Sequence, residues 1–526
     1  MQVCCPACGF DIARPVTRFT SAPSPYFALI TANGIVPTSD DDLLSHYLQG
    51  VRADISTQDD VIRCIKSALT RAENEKNRLQ GVFDSHTALR PPFRRCPPEV
   101  LTEIFHWAIT TPLNDNHLHL RELNAKLSKI SAVCRLWGTT VLSSPSLWAR
   151  FCLLGSGNEG LTPLLQTVLD RSHETSLCIC FHSMFDVNIE EDAFLRRALG
   201  TSPRWKGARI ELGDDGTDVY AQIRGQLPRL EWLELDYDFN DVSPSGPRFD
   251  AFEDTPQLRA LALDGSIPVQ TLALPWTQII SLDINYAIDR DDLCAVLSMT
   301  PNLQVLTLDY DEVWNPKKSK DIVTCPSLRR VHVTDLPLFR SFNFPSLEEL
   351  FVNVLGVASE WLAKTDDKKT EDIFHDFLER SGSPIKKLKL EATTDVPDFP
   401  RTFDMAFRLV DLDIMLPDPA TAALFFRALL SRGDKTDVLP ELRSLKTECG
   451  AVVDVKDLVE VDDIADMIVS RYHPPNAAVA EIQSVHITLP CLSLLRRQAF
   501  QARLKNLPDL LNLISIRDDI CSESGH

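Results

Sequence analysis

The fold depends on the stretch Pro228–Leu235, whose sequence is Pro-Arg-Leu-Glu-Trp-Leu-Glu-Leu. A proline is followed by apolar residues two, five and seven positions later, and this spacing recurs along the C-terminal part of the chain. Five copies keep the proline: Pro228–Leu235, Pro256–Leu263, Pro301–Leu308, Pro326–Val333 and Pro345–Val352. The remaining copies lack the proline or are weaker: Ile279–Ile284, Ile385–Leu390, Leu409–Ile414 and Pro440–Leu445. The chain is therefore built on an internal repeat.

Each copy predicts one short strand. The last two apolar residues are two positions apart, so they face the same side of a strand, and the first apolar residue fills the turn before it. Stacked copies bury a continuous core and place parallel strands along one side. Wider gaps between the later copies require extra helices, which we expect within Ala358–Arg380 and Asp418–Arg432.

The repeat is similar to leucine-rich repeats, which implies an irregular solenoid over residues 202–526. The strict family pattern has Asn or Cys three positions after the last leucine. Asp238, Ser266 and Asp311 stand there instead, so the asparagine ladder of the family is missing. The alternative is an α/β domain with unrelated leucine-rich strands.

A second informative segment runs from Arg94 to Trp148. Pro97 and Pro98 suit an extended entry and a first helical turn, because proline lacks the N–H that a helix start does not need. Apolar residues at helical spacing follow, and a second stripe with gaps of three and four runs from Leu120 to Trp137. A core this small is marginal alone, so a partner or the next domain is expected to complete it.

These residues resemble the F-box in its fungal, F-box-like form. The resemblance implies docking on the Skp-type adaptor of a cullin-RING ubiquitin ligase. It departs from the family at Cys96, where leucine is usual, and in the long spacer Thr110–Lys126. The residues that it assigns to the adaptor contact are Pro97, Pro98, Val100, Leu101, Ile104, Phe105, Val133, Cys134, Trp137, Leu147 and Trp148.

The segment before this module carries a heptad stripe. From Leu48 to Phe83, apolar residues keep three-four spacing, with Gln58 and Lys76 in the two polar positions. The pattern predicts one long helix, packed either on the F-box-like module or against a second copy in a homodimer.

The bulk composition excludes several classes of function. A formal net charge of −20 argues against nucleic acid or an anionic membrane as the main partner. The start of the sequence lacks the basic and apolar parts of a signal peptide, and the 14 cysteines are scattered as reduced thiols would be. We therefore expect a cytoplasmic or nuclear protein.

Two motifs suggest other chemistry and are set aside. Gly155–Gly160 fits a dinucleotide-binding loop, since it follows the strand-like Phe151–Leu154 and precedes a helix and a strand at Leu177–Phe181. However, Thr162 and Pro163 predict that the helix starts after the last glycine. Cys5 and Cys8 have the spacing of half a zinc site, and no second such pair follows. We expect no cofactor, no metal and no catalytic residues, and whether Cys5 and Cys8 bind zinc stays open.

The expected class is α+β with repeats. We divide the chain into a flexible leader at 1–40, a long helix at 41–89, an F-box-like domain at 90–151, a linker or capping segment at 152–201 and the solenoid at 202–526. The predicted function is that of a substrate-recognition adaptor of an SCF-type ubiquitin ligase. The alternatives are a leucine-rich scaffold without a ligase link and a nucleotide-dependent enzyme that uses the loop Gly155–Gly160.

A row of polar residues is expected on the exposed face of the repeat strands. These residues flank the buried positions, so they point away from the core. Because the row is mostly acidic, it predicts a groove for a basic segment of a protein substrate; the alternative is a solvated face that only keeps the protein soluble. The residues proposed to bind substrate are Glu234, Asp236, Tyr237, Asp264, Asp283, Asp309 and Tyr310. The row continues through Asn285, His332, Asn353, Lys389, Glu391 and Asp413.

Overall fold

The chain forms two compact units, residues 1–101 and 102–526. The computed structural model describes residues 24–87, 95–109, 118–154, 160–182, 193–212, 218–237, 248–265, 269–286, 288, 290–309, 322–334, 337–354, 370–392, 408–416, 418–432, 437–449, 461–475, 478–490 and 514–519.

A long helix is the main element of the first unit. The short helix α1 (Phe27–Thr31) and a 3-10 turn (Thr38–Asp40) precede α2, which runs over 47 residues from Asp41 to Thr87. The absence of proline from this segment and its continuous heptad pattern allow such a length. The long N-terminal helix predicted from the sequence is confirmed.

The segment directly before α2 is structured, although it was predicted as part of the flexible leader. Tyr26 is buried, and its hydroxyl donates a hydrogen bond to the carbonyl oxygen of Asp40 at 3.2 Å. This bond ties the start of α1 to the start of α2. The predicted zinc half-site at Cys5 and Cys8 lies outside the described residues.

Three helices and a 3-10 turn form the module that was predicted to be F-box-like: α3 (Pro98–Ile109), α4 (Leu120–Ser131), α5 (Arg135–Ser143) and Pro145–Trp148. The predicted stripe from Leu120 to Trp137 is not one helix, because the chain leaves the helical conformation before Cys134, whose backbone is extended (φ −162°, ψ 169°). The stripe is therefore shared by two helices.

A sheet of parallel strands dominates the second unit, and the residues that the structure describes contribute 14 of them. Its strands are β1 (Arg150–Leu154), β2 (Leu177–His182), β3 (Trp205–Leu212), β4 (Trp232–Tyr237), β5 (Ala260–Gly265), β6 (Ser281–Ile284), β7 (Val305–Leu308), β9 (Arg330–Val333), β11 (Glu349–Val354), β12 (Lys387–Ala392), β13 (Asp411–Leu416), β14 (Ser444–Cys449), β15 (Ser484–Pro490) and β16 (Ile514–Asp519). Strand order follows chain order, and the short strands β8 (Val323–Thr324) and β10 (Phe342–Asn343) pair with each other instead.

The sheet begins before the segment 202–526 that was assigned to the solenoid, at two places where the sequence had indicated strands, Phe151–Leu154 and Leu177–Phe181. Strands β1 and β2 lie at 150–182, mostly inside the segment 152–201 that was predicted as a linker or cap. The physical reason is their pattern of burial: β1 buries three consecutive residues, Phe151, Cys152 and Leu153, and so lacks the alternation that marks the repeats.

The apolar positions of the repeat form the core. In the first copy, Leu230, Leu233 and Leu235 are at most 1% exposed, and the corresponding residues of the other copies are also buried. Strand register keeps them in line, since Leu233 pairs with Leu261 and Leu235 pairs with Leu263. The repeat spacing therefore specifies both the strands and their register.

Helices connect several of the strands: α6 (Thr162–Ser172), α7 (Ala193–Leu199), α8 (Arg290–Met299), α9 (Thr370–Ser381), α10 (Pro419–Ala428) and α11 (Val461–Tyr472). The helices expected in the two wide gaps are present as α9 and α10, within the described residues. Asp418 caps α10, because its carboxylate accepts hydrogen bonds from the backbone N–H groups of Ala420 and Thr421, both at 2.9 Å. None of the described helices is both long and apolar enough to cross a membrane.

Candidate protein-interaction surfaces

Helix α3 carries apolar residues on two faces. On one face, Leu101 and Phe105 are at most 1% exposed and belong to the core. On the other face, Val100 is 46% exposed, Trp107 is 80% exposed and Ile104 between them is partly exposed. Exposed apolar groups at the spacing of one helix face indicate a surface made for contact.

Hydrogen bonds and an aromatic contact hold the buried side of α3. The Thr102 and Ser144 hydroxyls lie 2.8 Å apart, and His106 Nε2 lies 3.1 Å from Ser146 Oγ. The rings of Phe105 and Trp137 meet edge to face with centroids 5.0 Å apart. These contacts fix the rotation of the helix and therefore which residues it exposes.

Trp148 is an anchor of the same module. It is 1% exposed, its indole N–H donates a hydrogen bond to the Val141 carbonyl oxygen at 2.9 Å, and the Arg171 guanidinium lies 4.4 Å from its ring centroid. The tryptophan thereby joins the 3-10 turn to α5 and α6.

The residues that were predicted to touch the adaptor fall into two groups. Those that are buried are Leu101, Phe105, Leu147 and Trp148. Those that are exposed or partly exposed are Pro97, Pro98, Val100, Ile104, Val133, Cys134 and Trp137. Buried side chains cannot meet a partner while the module stays folded, so the docking hypothesis rests on the second group. Trp107 was not among the residues predicted to contact the adaptor. Its spacing of seven residues from Val100 and three from Ile104 places it on the same helix face and could have indicated it.

A second candidate surface lies on the exposed face of strands β3 to β7. Strand register places Asp236 opposite both Glu211 and Asp264, and Asp283 lies one strand further along. These side chains are part-buried rather than fully solvated, and Asp309 after β7 is exposed. Several carboxylates therefore share one face, as the sequence predicted.

Two basic side chains lie at the β2–β3 end of this row. Arg209 is 14% exposed, and its guanidinium lies 3.4 Å from a Glu234 oxygen and 3.8 Å from an Asp236 oxygen. His182 Nδ1 lies 2.6 Å from Glu211 Oε2. No basic side chain of the described residues is within ion-pair distance of Asp264 or Asp283, so negative charge is in excess there.

Burial and the closeness of these carboxylates raise the pKa of two of them, Asp236 and Asp283. Burial raises the pKa of Asp283, and the nearby charges of Asp309 and Asp264 raise it further. Burial also raises the pKa of Asp236, with Asp264 the next cause. One oxygen of Asp283 is buried without a hydrogen-bond partner among the described residues. The crowded carboxylates therefore destabilise the folded state at this part of the face. Such destabilising groups are common at binding sites.

The row is different beyond β7. Lys389 Nζ lies 4.0 Å from the centroid of the Phe351 ring and also pairs with Glu391, and Lys446 pairs with Asp413 at 2.9 Å. Charges of both signs alternate there. The excess of carboxylates is therefore concentrated on β5 and β6 and at Asp309 directly after β7, rather than along the whole row. The predicted anchor Tyr310 lies outside the described residues.

The motifs set aside earlier gain no support as sites. Helix α6 begins at Thr162, after Gly160, so its N-terminus does not lie within the glycines. The rest of that loop, 155–159, lies outside the described residues. Among the residues that the structure does describe, no three His, Cys, Asp or Glu side chains are grouped to hold a metal ion.

No model of a known protein family matches the chain, and a search of curated proteins finds no significant relative.

Proposed function

We propose that this protein is a non-catalytic substrate-recognition adaptor of an SCF-type, cullin-RING ubiquitin ligase. The F-box-like module docks the Skp-type adaptor, and a leucine-rich-repeat-like solenoid built on the parallel sheet holds a protein substrate. Such an adaptor accelerates ubiquitin transfer by proximity, because it raises the effective concentration of a substrate lysine beside the ubiquitin-carrying enzyme.

The exposed apolar face of α3 is the observation that carries this proposal. Val100, Ile104 and Trp107 follow the proline pair directly, in the segment that resembles the F-box. In this proposal, the Skp-type adaptor that the F-box resemblance implies covers this exposed face. The sequential order of the 14 strands supports the solenoid, since a stacked repeat pairs each strand with its neighbours in the chain.

The docking end is tested by the double variant Val100→Asp/Trp107→Asp. Burying two carboxylates in an apolar contact is unfavourable, so co-precipitation of the Skp-type adaptor with the full chain should fall at least tenfold. Both positions are exposed, so the thermal unfolding midpoint should stay within about 2 °C.

The matched control is Leu424→Asp on α10, because Leu424 is 64% exposed and also helical. It should leave adaptor binding unchanged. If the wild-type chain captures no adaptor, or if the double variant captures as much as the wild type, the ligase proposal fails.

The substrate end is tested by Asp236→Asn/Asp283→Asn. These carboxyls have a higher pKa folded than the value near 3.9 of an unfolded chain, so their ionisation costs stability as pH rises through the folded pKa. The variant should therefore lose that decline of stability with pH, so its stability relative to the wild type should be higher at pH 7 than at pH 4. Binding of a basic substrate segment should weaken, together with its salt dependence.

Asp413→Asn is the control for this variant, because that carboxylate lies on the same face but is paired with Lys446 at 2.9 Å, whereas Arg209 lies 3.8 Å from Asp236 and no basic side chain of the described residues pairs with Asp283. Urea unfolding at pH 4 and pH 7 gives the stability, and pull-downs at two salt concentrations give the binding. Partners that all survive the double variant would place substrate binding elsewhere.

A scaffold without a ligase link is the second candidate, and one observation favours it. The backbone N–H of Cys152 donates a hydrogen bond to the Leu118 carbonyl oxygen at 2.8 Å, and His119 forms a parallel bridge with Cys152. The segment before α4 thus covers the outer edge of β1, as a cap would. Adaptor capture by the full chain separates the two functions.

A further inference from the structure

The apolar stripe of helix α2 is exposed over most of its length, and Val51 within it is half-buried. No residue of this helix is buried by the part of the chain that the structure describes. The exposed fractions of its larger members are Leu48 48%, Ile55 56%, Ile62 47%, Ile65 41%, Leu69 57%, Leu79 53% and Phe83 65%. A continuous apolar row on a long helix is stable in water only when another surface covers it.

We propose that a second copy of this chain covers the stripe, and that the two α2 helices form an antiparallel coiled coil. The two-fold axis passes between two central layers in which Ile62 meets the partner's Ile65. The other facing positions are Leu48 with the partner's Leu79, Val51 with the partner's Lys76, Ile55 with the partner's Ala72, and Gln58 with the partner's Leu69. The inference is independent of the proposed ligase function.

Charge complementarity on one flank of the seam selects this register. Arg52 faces the partner's Glu73, and Asp59 faces the partner's Lys66. The symmetry repeats each pair, so the dimer has four attractive flanking pairs.

The opposite flank is mostly apolar, with Val61 facing the partner's Ala68. It contains one kind of repulsive pair, between Asp54 and the partner's Glu75, and the symmetry repeats this pair as well, so two repulsive pairs oppose the four attractive ones. This repulsion is weakened because Glu75 already accepts two hydrogen bonds from Arg78 of its own helix, at 2.8 and 2.9 Å.

Shifting the helices by one heptad reverses the complementarity. In one direction Asp59 faces the partner's Glu73, and Lys66 faces the partner's Lys66. In the other direction Arg52 faces the partner's Lys66, and Asp59 faces the partner's Asp59. Both flanking pairs that attract in the proposed register are therefore lost in its neighbours.

A parallel dimer is also disfavoured. Its core would stack Lys76 on the partner's Lys76, and its flanks would place Asp54 beside the partner's Asp59. None of its flanking pairs joins opposite charges. The antiparallel arrangement instead separates the two lysines and gives each an aliphatic neighbour across the seam, along which its stem can lie.

Sedimentation equilibrium of the full chain over a range of concentrations tests the proposal. The wild type should sediment with twice the mass of the chain. Ile62→Asp/Ile65→Asp should leave only monomer, with the thermal transition of the sheet retained as evidence of folding. Arg71→Glu, at an outward heptad position of the same helix, is the matched control and should leave the mass unchanged.

Asp59→Lys distinguishes the two orientations. In the antiparallel register the new side chain faces the partner's Lys66, so the dissociation constant should rise about tenfold. In a parallel dimer it would face the partner's Asp54, and association would tighten. The exchange Asp59→Lys/Lys66→Asp should restore the wild-type constant. A monomeric wild type, a dimer that survives Ile62→Asp/Ile65→Asp, or tightening by Asp59→Lys would each overturn the proposal.

Discussion

Replacing Trp148 with alanine should lower the free energy of unfolding by about 3–5 kcal/mol. The indole is 1% exposed, donates a hydrogen bond to Val141 and lies under the Arg171 guanidinium. Its removal leaves a cavity and an unpaired carbonyl at the junction of the helical module. Urea unfolding followed by tryptophan fluorescence and circular dichroism measures the loss.

Trp107→Ala is the matched control. Trp107 is the same residue type in the same module but is 80% exposed, so its removal should change stability by no more than about 0.5 kcal/mol. Under the proposed function, Trp107→Ala should weaken adaptor capture. Equal losses of stability in the two variants would contradict the assignment of Trp148 to the core and Trp107 to the surface.

Gly265→Ala should cost more than about 3 kcal/mol. Gly265 ends β5 with φ +71°, and a Cβ atom there would lie 1.9 Å from the carbonyl oxygen of Tyr237 on β4. Backbone of the neighbouring strand cannot give way without breaking the pairing of β4 with β5. The thermal midpoint of the full chain measures the effect.

Gly225→Ala is the control that separates the effect of the steric clash at Gly265 from the effect of the positive φ angle. Gly225 has the same φ of +71°, but a Cβ atom there meets nothing within 4 Å. Its substitution should cost only about 1 kcal/mol, the price of a left-handed backbone for alanine. Similar costs at the two glycines would show that the close approach of β4 and β5 is not rigid.

Much of the sheet was predictable because the spacing of apolar residues in each repeat matches the geometry of a turn followed by a strand. Leu233 and Leu235 are two residues apart, which is the period of one strand face, and Leu230 marks the turn before it. β1 and β2 were recognisable as strand-like segments at Phe151–Leu154 and Leu177–Phe181, but they lack the repeat spacing, so the sequence did not assign them to the same sheet. Their position in the sheet is set by hydrogen bonding of β1 to β2 and of β2 to β3, and a local sequence pattern does not show which strands pair.

The helical module was harder to predict in detail. Three-four spacing continues from Ile130 through Cys134 to Trp137, although the helix ends between them. Cys134 makes no side-chain capping bond, so the boundary lacks the Ser, Thr, Asp or Asn that usually marks a new helix. The division of this module into core and surface likewise needed coordinates, since both faces of α3 are apolar.

The candidate acidic surface was predicted as a row, but its balance of charge was not. Strand periodicity places Asp236, Asp283 and Lys389 on one face. Which carboxylates find a basic partner depends on side chains from neighbouring strands, such as Arg209 beside Asp236 and Lys446 beside Asp413. Sequence spacing alone does not contain those distances.

The order of the strands also bears on how the protein is made. Each strand of the sheet pairs with the strand that precedes it in synthesis, apart from the short pair β8 and β10. We therefore expect a strand that leaves the ribosome to pair on an edge that earlier strands have formed, without waiting for the C-terminus. Within the described part of the chain, Leu118 and His119 meet the outer edge of β1 at Cys152, so this edge is partly paired before later strands are added at the other side of the sheet.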